Sequence, residues 1–176
     1  NSTVLCKAVN PKALASASHP VTPIYPAPGC WETDAEDIWR AVAQGMAELG
    51  AHPRLRQDPP TALSISASGR ENFPADASGK PLGNGLMGAN QRGSEFETLP
   101  PGAAAVEEWC LACGHARERM DPVFRYHWWK ANHPALMRRA AYFFGWMDFV
   151  THRLCGQGLM DYSTASRYLT FDLQKL

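Results

Sequence analysis

The chain lacks any long apolar run. None of its hydrophobic stretches approaches the roughly 20 residues that cross a bilayer, so neither a transmembrane helix nor a membrane partner is expected. It also lacks an excess of charge. Its 17 Lys and Arg residues are balanced by 17 Asp and Glu, which argues against a general binder of nucleic acid or of an acidic surface. No basic-then-apolar leader opens the sequence, and it starts at Asn1 rather than Met, so a piece or a processed product is expected. A second paired-cysteine motif is missing too. Cys110-Leu111-Ala112-Cys113, followed by Gly114-His115, could begin a zinc site, but structural zinc takes four ligands, often from two such pairs. Cys6, Cys30 and Cys155 are isolated, so no metal site is expected. Five cysteines is an odd number. With no secretory signal, reduced thiols in a cytoplasmic protein are the default. The length suits one domain with a core of its own.

The stretch from Thr61 to Gly93 carries the chemistry. Ala62 to Ala67 reads as a short buried strand. It ends at Ser68-Gly69, where the glycine allows a sharp turn, and Arg70-Glu71 follow at once. Phe73 to Asp76 reads as a second strand, Ala77 to Lys80 as a turn, and Leu82 to Met87 as the returning strand of a hairpin. An arginine beside a glutamate at a strand end suits a polyhydroxy ligand. The guanidinium offers fixed donors and the carboxylate offers acceptors, so neighbouring hydroxyls can be held from both sides. The competing reading of the same pair is an exposed surface ion pair that does little.

The other elements follow from periodicity. Val4 to Val9 and Ala13 to Ser18 read as a hairpin bent at Pro11. Pro20 to Gly29 reads as a linker. Thr33, with Glu36 three residues on, predicts a capping box that opens a helix. Ile38, Val42, Met46 and Leu49 form its apolar face, and Gly50 ends it. His52 to Pro60 and Glu95 to Val106 read as loops, and Trp109 to Met120 as a helix broken around Gly114. Asp121 and Pro122 predict the start of a helix, with Phe124, His127, Trp128 and Ala131 on one face. His127 and the Trp128-Trp129 pair are weighted toward packing rather than catalysis or sugar stacking. Asn132-His133-Pro134 stops that helix and starts another over Ala135 to Ala140. Tyr142 to Trp146 reads as an aromatic strand, and Met147 to Leu154 as a helix closed by Gly156.

Several of these segments resemble the FGGY carbohydrate kinases. Ser68-Gly69-Arg70-Glu71 is similar to the Gln-Arg-Glu strand end of the glycerol-kinase branch, with Gly69 at the glutamine. Asp76-Ala77-Ser78-Gly79-Lys80-Pro81-Leu82 resembles the family hairpin Asp-x-x-Gly-x-Pro-Leu. Glu32-Thr33-Asp34 with Trp39, and Asp148 through Gly156, match two further patterns. The run Asp161 to Asp172 resembles Thr-Asp-x-Ser-x-Ala-Ser-x-Thr-x-Leu-x-Asp, the most specific of these signals, and is taken as a fold marker. At the start, Asn1-Ser2-Thr3 and Lys7-Ala8-Val9 look like the tail of the family's phosphate hairpin, without its Asp-x-Gly. The chain departs from the family elsewhere. Gly88 and Asn90 replace the tryptophan and aspartate of Trp-x-Asp-x-Arg, leaving Arg92, and Val123 replaces a tyrosine.

The resemblance implies an α/β fold of the actin-like, or ribonuclease-H-like, ATPase kind, a mixed sheet flanked by helices. Residues 1–176 would be an incomplete N-terminal, sugar-binding domain, with the C-terminal nucleotide domain and the catalytic aspartate outside the chain. The parent activity implied is ATP-dependent phosphoryl transfer to a hydroxyl of a small sugar or polyol such as xylulose, erythritol or glycerol, with Mg2+. Arg70 and Glu71 are the implied substrate-binding residues, and Ser2 and Thr3 the implied contacts to ATP. The isolated chain is expected to be inactive. Sugar and ATP are the expected partners, with a homodimer left open. The alternative is a non-catalytic sugar- or partner-binding module derived from a kinase half, favoured slightly by Gly88, Asn90 and Val123. ATP turnover by the intact protein separates the two.

Overall fold

An antiparallel hairpin opens the chain in the computed structural model, which describes residues 2–7, 13–98, 102–114 and 122–175. Strand β1 (Ser2–Lys7) pairs with β2 (Ala13–His19), Val4 facing Ala17. The bend at Pro11 and the expected strand end at Ala8-Val9 lie outside the described residues. The proline-rich segment that reads as a linker instead contains β3 (Ile24–Ala27), which turns at Pro28-Gly29 into β4 (Cys30–Thr33). Pro26 is tolerated because β3 is the outer strand of its sheet.

Helix α1 (Ala35–Gly50) starts one residue later than predicted. Thr33 is held in β4 opposite Gly85, so Asp34 takes the N-cap and its carboxylate accepts the Glu36 N–H at 2.9 Å. Ala35, Ile38, Val42, Gly45 and Leu49 follow one face at helical spacing. That face packs on the β1–β2 hairpin, where Leu49 meets Ala17 and Leu55, and on the central core. Leu55 belongs to α2 (Pro53–Gln57), a short helix in what reads as a loop.

The strand expected over Ala62 to Ala67 does not form. The segment carries no regular structure, and Leu63 is 55% exposed, although Ile65 packs against the core. Four of the six residues are Ala or Ser, which have little side chain to pack on a pleated surface. The hairpin beyond it is present. β5 (Phe73–Ala75) runs beside Pro81-Leu82 and Leu86, with the Leu82 N–H donating to the Pro74 carbonyl at 2.9 Å and the Leu86 N–H to the Asn72 carbonyl at 3.0 Å. β6 (Gly85–Leu86) also pairs with β4. A 3-10 helix (Ser94–Thr98) and α3 (Gly102–Cys113) occupy most of what reads as a loop from Glu95 and the start of the broken helix. Gly114 closes α3, and the later residues of that segment, with Asp121, lie outside the described residues.

Helix α4 (Pro122–Asn132) buries Phe124, Arg125 and Trp129. His127 and Trp128 fall at its margin, where His127 stacks on Phe96. The short α5 (Pro134–Met137) leads to β7 (Tyr142–Phe144), which pairs antiparallel with β5, and to α6 (Trp146–Cys155). Gly156 ends α6 at φ 73°, a left-handed conformation that favours glycine. Asp161 caps α7 (Tyr162–Arg167), its carboxylate accepting the N–H groups of Ser163 and Thr164. Helices and strands are thus mixed along the chain, as in an α/β fold, and among the described residues the strands are spread over three small antiparallel sheets.

The core lies between α1, β5, β7 and α6. Phe73 is fully buried, with Trp146 and Phe149 rings each 5.2 Å from its own. Beside this core Asp148 is buried and accepts the Gly145 N–H at 2.9 Å, capping α6. Burial raises its carboxyl from the ordinary value of 3.8 to about 6, opposed by the Gly145 bond and assisted by the charge of Asp161. The folded state therefore holds a proton that the unfolded chain has released between pH 3.8 and about 6. Through that window this group's contribution to stability falls as pH rises. Asp148→Asn keeps an acceptor for Gly145 and removes the charge. The difference in urea midpoint between Asp148→Asn and the natural chain should grow in favour of the variant from pH 4.5 to pH 7. A pH-independent difference would rule out a buried charge at Asp148.

Candidate polyol site

Arg70 and Glu71 stand in a bend that enters β5, not at the carboxyl end of a strand, because the preceding segment is not a strand. The sheet still fixes them. Asn72 is bonded to Leu86 through both backbone groups, so Glu71 is anchored one residue from a ladder. Glu71 is only 4% exposed, which rules out the loose surface pair. One carboxylate oxygen accepts the Gly88 N–H at 3.2 Å, and the other accepts the Arg70 N–H at 3.3 Å. A carboxylate oxygen has two lone pairs, so each retains acceptor capacity beyond these bonds. The Tyr168 hydroxyl donates to the Glu71 carbonyl at 3.3 Å, tying the C-terminal segment to the same spot. Burial raises the Tyr168 phenol well above its usual value, with the Asp148 and Glu71 charges adding to the effect.

Gly88 closes the other side. A side chain there would bring its Cβ to 3.3 Å from the Glu71 carboxylate and 3.6 Å from the Arg70 Cβ. The small residue at the family's tryptophan position thus keeps the Gly88 backbone within reach of Glu71. Asn90, fully buried, organises this turn. Its side-chain oxygen accepts from both the backbone N–H and the Nε of Arg92 at 3.0 Å, and its amide donates to the Trp31 carbonyl at 2.7 Å. Arg92 in turn pairs with Glu32 at 2.6 Å and lies 4.9 Å over the Trp128 ring. Arg92 and Trp128 therefore brace one another rather than standing open to a ligand.

Sequence reasoning passed over Arg125. Its side chain is 1% exposed and reaches from α4 into the space between the two walls. It donates to the carbonyls of Arg70, Leu86 at 3.2 Å, Gly88 at 3.0 Å and Asn90 at 3.3 Å. Desolvation lowers this guanidinium to about 10, and the charge of Glu71 works in the opposite sense. Nothing in the sequence singles out an arginine at this helix position. Its partners are backbone carbonyls, which carry no residue-type signal.

The sequence profile described as the FGGY family of carbohydrate kinases, N-terminal domain, matches residues 3–176. The chain belongs to the FGGY family of carbohydrate kinases. It is 27% identical over 158 residues to a glycerol kinase of Thermococcus onnurineus, an alignment covering 86% of this chain and 31% of that protein. The chain therefore spans about a third of the length of the curated relative it matches. Among solved structures, the ligand-bound xylulose kinase of Lactobacillus acidophilus superposes with a TM-score of 0.84 at 19% identity, covering 99% of this chain and 35% of that one. Plasmodium falciparum glycerol kinase with ADP does so with a TM-score of 0.73 at 20% identity, covering 94% and 34%. The fold is the actin-like α/β fold of these sugar kinases.

Ser2 and Thr3 lie in β1, their backbones opposite His19 and Ser18. Cys110 and Cys113 are buried thiols one turn apart on α3. Among the described residues no three His, Cys, Asp or Glu side chains converge as metal ligands. No helix among them is long and apolar enough to cross a membrane. Two outcomes are expected. Elemental analysis of chelator-washed protein should give far less than one zinc per chain; stoichiometric zinc lost with the fold in Cys110→Ser would overturn this. Glu71→Gln, which deprives the buried Arg125 of its compensating charge, should lower unfolding free energy by about 1–3 kcal/mol in urea melts. An unchanged midpoint would mean that the two groups are not coupled.

Proposed function

We propose that the protein carrying this domain transfers the γ-phosphate of ATP to a hydroxyl of a small sugar or polyol such as glycerol, erythritol or xylulose. Residues 1–176 serve as its N-terminal, sugar-binding domain. The observation that carries the reading is the buried Glu71 carboxylate, pinned by two backbone N–H groups with lone pairs left over, next to Arg70. A polyol has no charge and is recognised by hydrogen bonds aimed at adjacent hydroxyls. A fixed acceptor beside a guanidinium meets that requirement. Family membership supplies the reaction class.

In this reading Glu71 accepts from one hydroxyl and Arg70 donates to its neighbour. Both hold the polyol so that a third hydroxyl faces the phosphoryl donor. In phosphoryl transfer most of the catalytic effect comes from such positioning and from charge stabilisation on the phosphates. The co-substrate is MgATP, and Ser2 and Thr3 at the start of β1 are the candidates in this chain for approaching its phosphates. Reduced thiols and the kinase family favour the cytoplasm.

The test is a coupled ADP-release assay of the intact protein against glycerol, erythritol and xylulose. Arg70→Ala should raise the KM for the preferred polyol roughly tenfold or more, because a buried partner is left unsatisfied, while the KM for ATP moves little. Polyol KM and kcat at the parent values in Arg70→Ala and Glu71→Gln alike would remove this pair from the site. No ADP release with any sugar or polyol would favour the non-catalytic module.

A further inference from the structure

We propose that Arg125 is a positioning residue of the polyol site, setting the separation of its two walls through backbone carbonyls rather than by touching substrate. This rests on the reading of Arg70 and Glu71 as the polyol grip. The carbonyls that Arg125 gathers are not a random set. One belongs to Arg70, immediately before Glu71, and two belong to Gly88 and Asn90, on the facing turn. The fourth, Leu86, lies in the strand that joins the turn to the ladder beside Asn72.

One guanidinium nitrogen serves Arg70 and Leu86, and the other serves Gly88 and Asn90. The planar fork therefore fixes the entry to β5 and the 88–90 turn relative to one another. A lysine ammonium is a compact point charge with three donors on a flexible stem and cannot hold the same four acceptors in one plane. Beyond the Asn72–Leu86 ladder the Glu71 carboxylate also ties the two segments, through the Gly88 N–H. Without the fork that bond must help to hold the turn as well as present the carboxylate to a ligand. The same charge keeps Glu71 company in a buried site without occupying its oxygens, which direct pairing would do.

The test uses the intact protein and direct binding of glycerol, erythritol and xylulose, followed by amide NMR shifts well below the melting temperature. Arg125→Lys should weaken binding of the preferred compound at least tenfold in the folded protein. It should also speed hydrogen exchange at the Gly88 amide before any ligand is added. A merely structural arginine would lower the melting temperature, leave binding by the folded fraction unchanged, and speed exchange at Gly88 no more than at core amides such as that of Phe149. If Arg125→Lys does not fold, Arg125→Gln, which keeps two donors without charge, is read in the same way. Arg70→Ala is the control. Arg125 variants that bind like the natural chain, while Arg70→Ala does not bind, overturn the positioning role and leave the polyol site standing. If Arg70→Ala also binds normally, or if the natural chain binds none of the three, the polyol site itself is wrong and Arg125 has nothing to position.

Discussion

A buried guanidinium holding four backbone carbonyls is the constraint on which the entry to β5 and the turn at 88–90 depend. Backbone carbonyls in a bend have few intrinsic partners, and a bend taken out of water needs them supplied. Arg125 supplies them from α4, a helix distant in sequence from the segments it joins. The cost is desolvation of a charge, visible in its lowered protonation range, and the Glu71 carboxylate offsets part of it. Charge balance and backbone satisfaction are thus met by one side chain.

That arrangement also explains how a glutamate can be nearly inaccessible and still keep acceptor capacity. A direct ion pair would saturate Glu71 and leave it inert. Here its two oxygens are steered by amides, one from its neighbour and one from the facing turn. Asn90 organises the far end of that turn, donating to the Trp31 carbonyl and accepting from Arg92. An aspartate could accept from Arg92 in the same way but has no N–H for Trp31. The substitution at this family position therefore exchanges a charge for a tie to β4.

Much of this was legible in the sequence, and the failures have physical causes. The apolar face of α1, the hairpin after Asn72, the aromatic strand before α6 and the Gly156 stop are all local signals, and all are present. Ala62 to Ala67 misled because small residues fit a strand pattern without supplying area to hold one. Thr33 fits a cap by local pattern, but β4 claims it through Gly85, remote in sequence. The pair Arg70-Glu71 stands out in the sequence because its residue types carry chemistry. The clamp behind it could not, because carbonyl groups are the same at every position.

The outer strand β3 has a consequence for how the molecule behaves in company. All of its residues are exposed, Tyr25 to 65%, and it borders open solvent beyond its pairing with β4. Such an edge normally presents a row of unpaired donors and acceptors on which a neighbouring chain can zip up. Pro26 has no N–H to offer, so this short strand carries one donor fewer. The same residue that makes this stretch read as a linker thus leaves an aromatic, solvent-facing strand poorer in the groups that a neighbour would pair with.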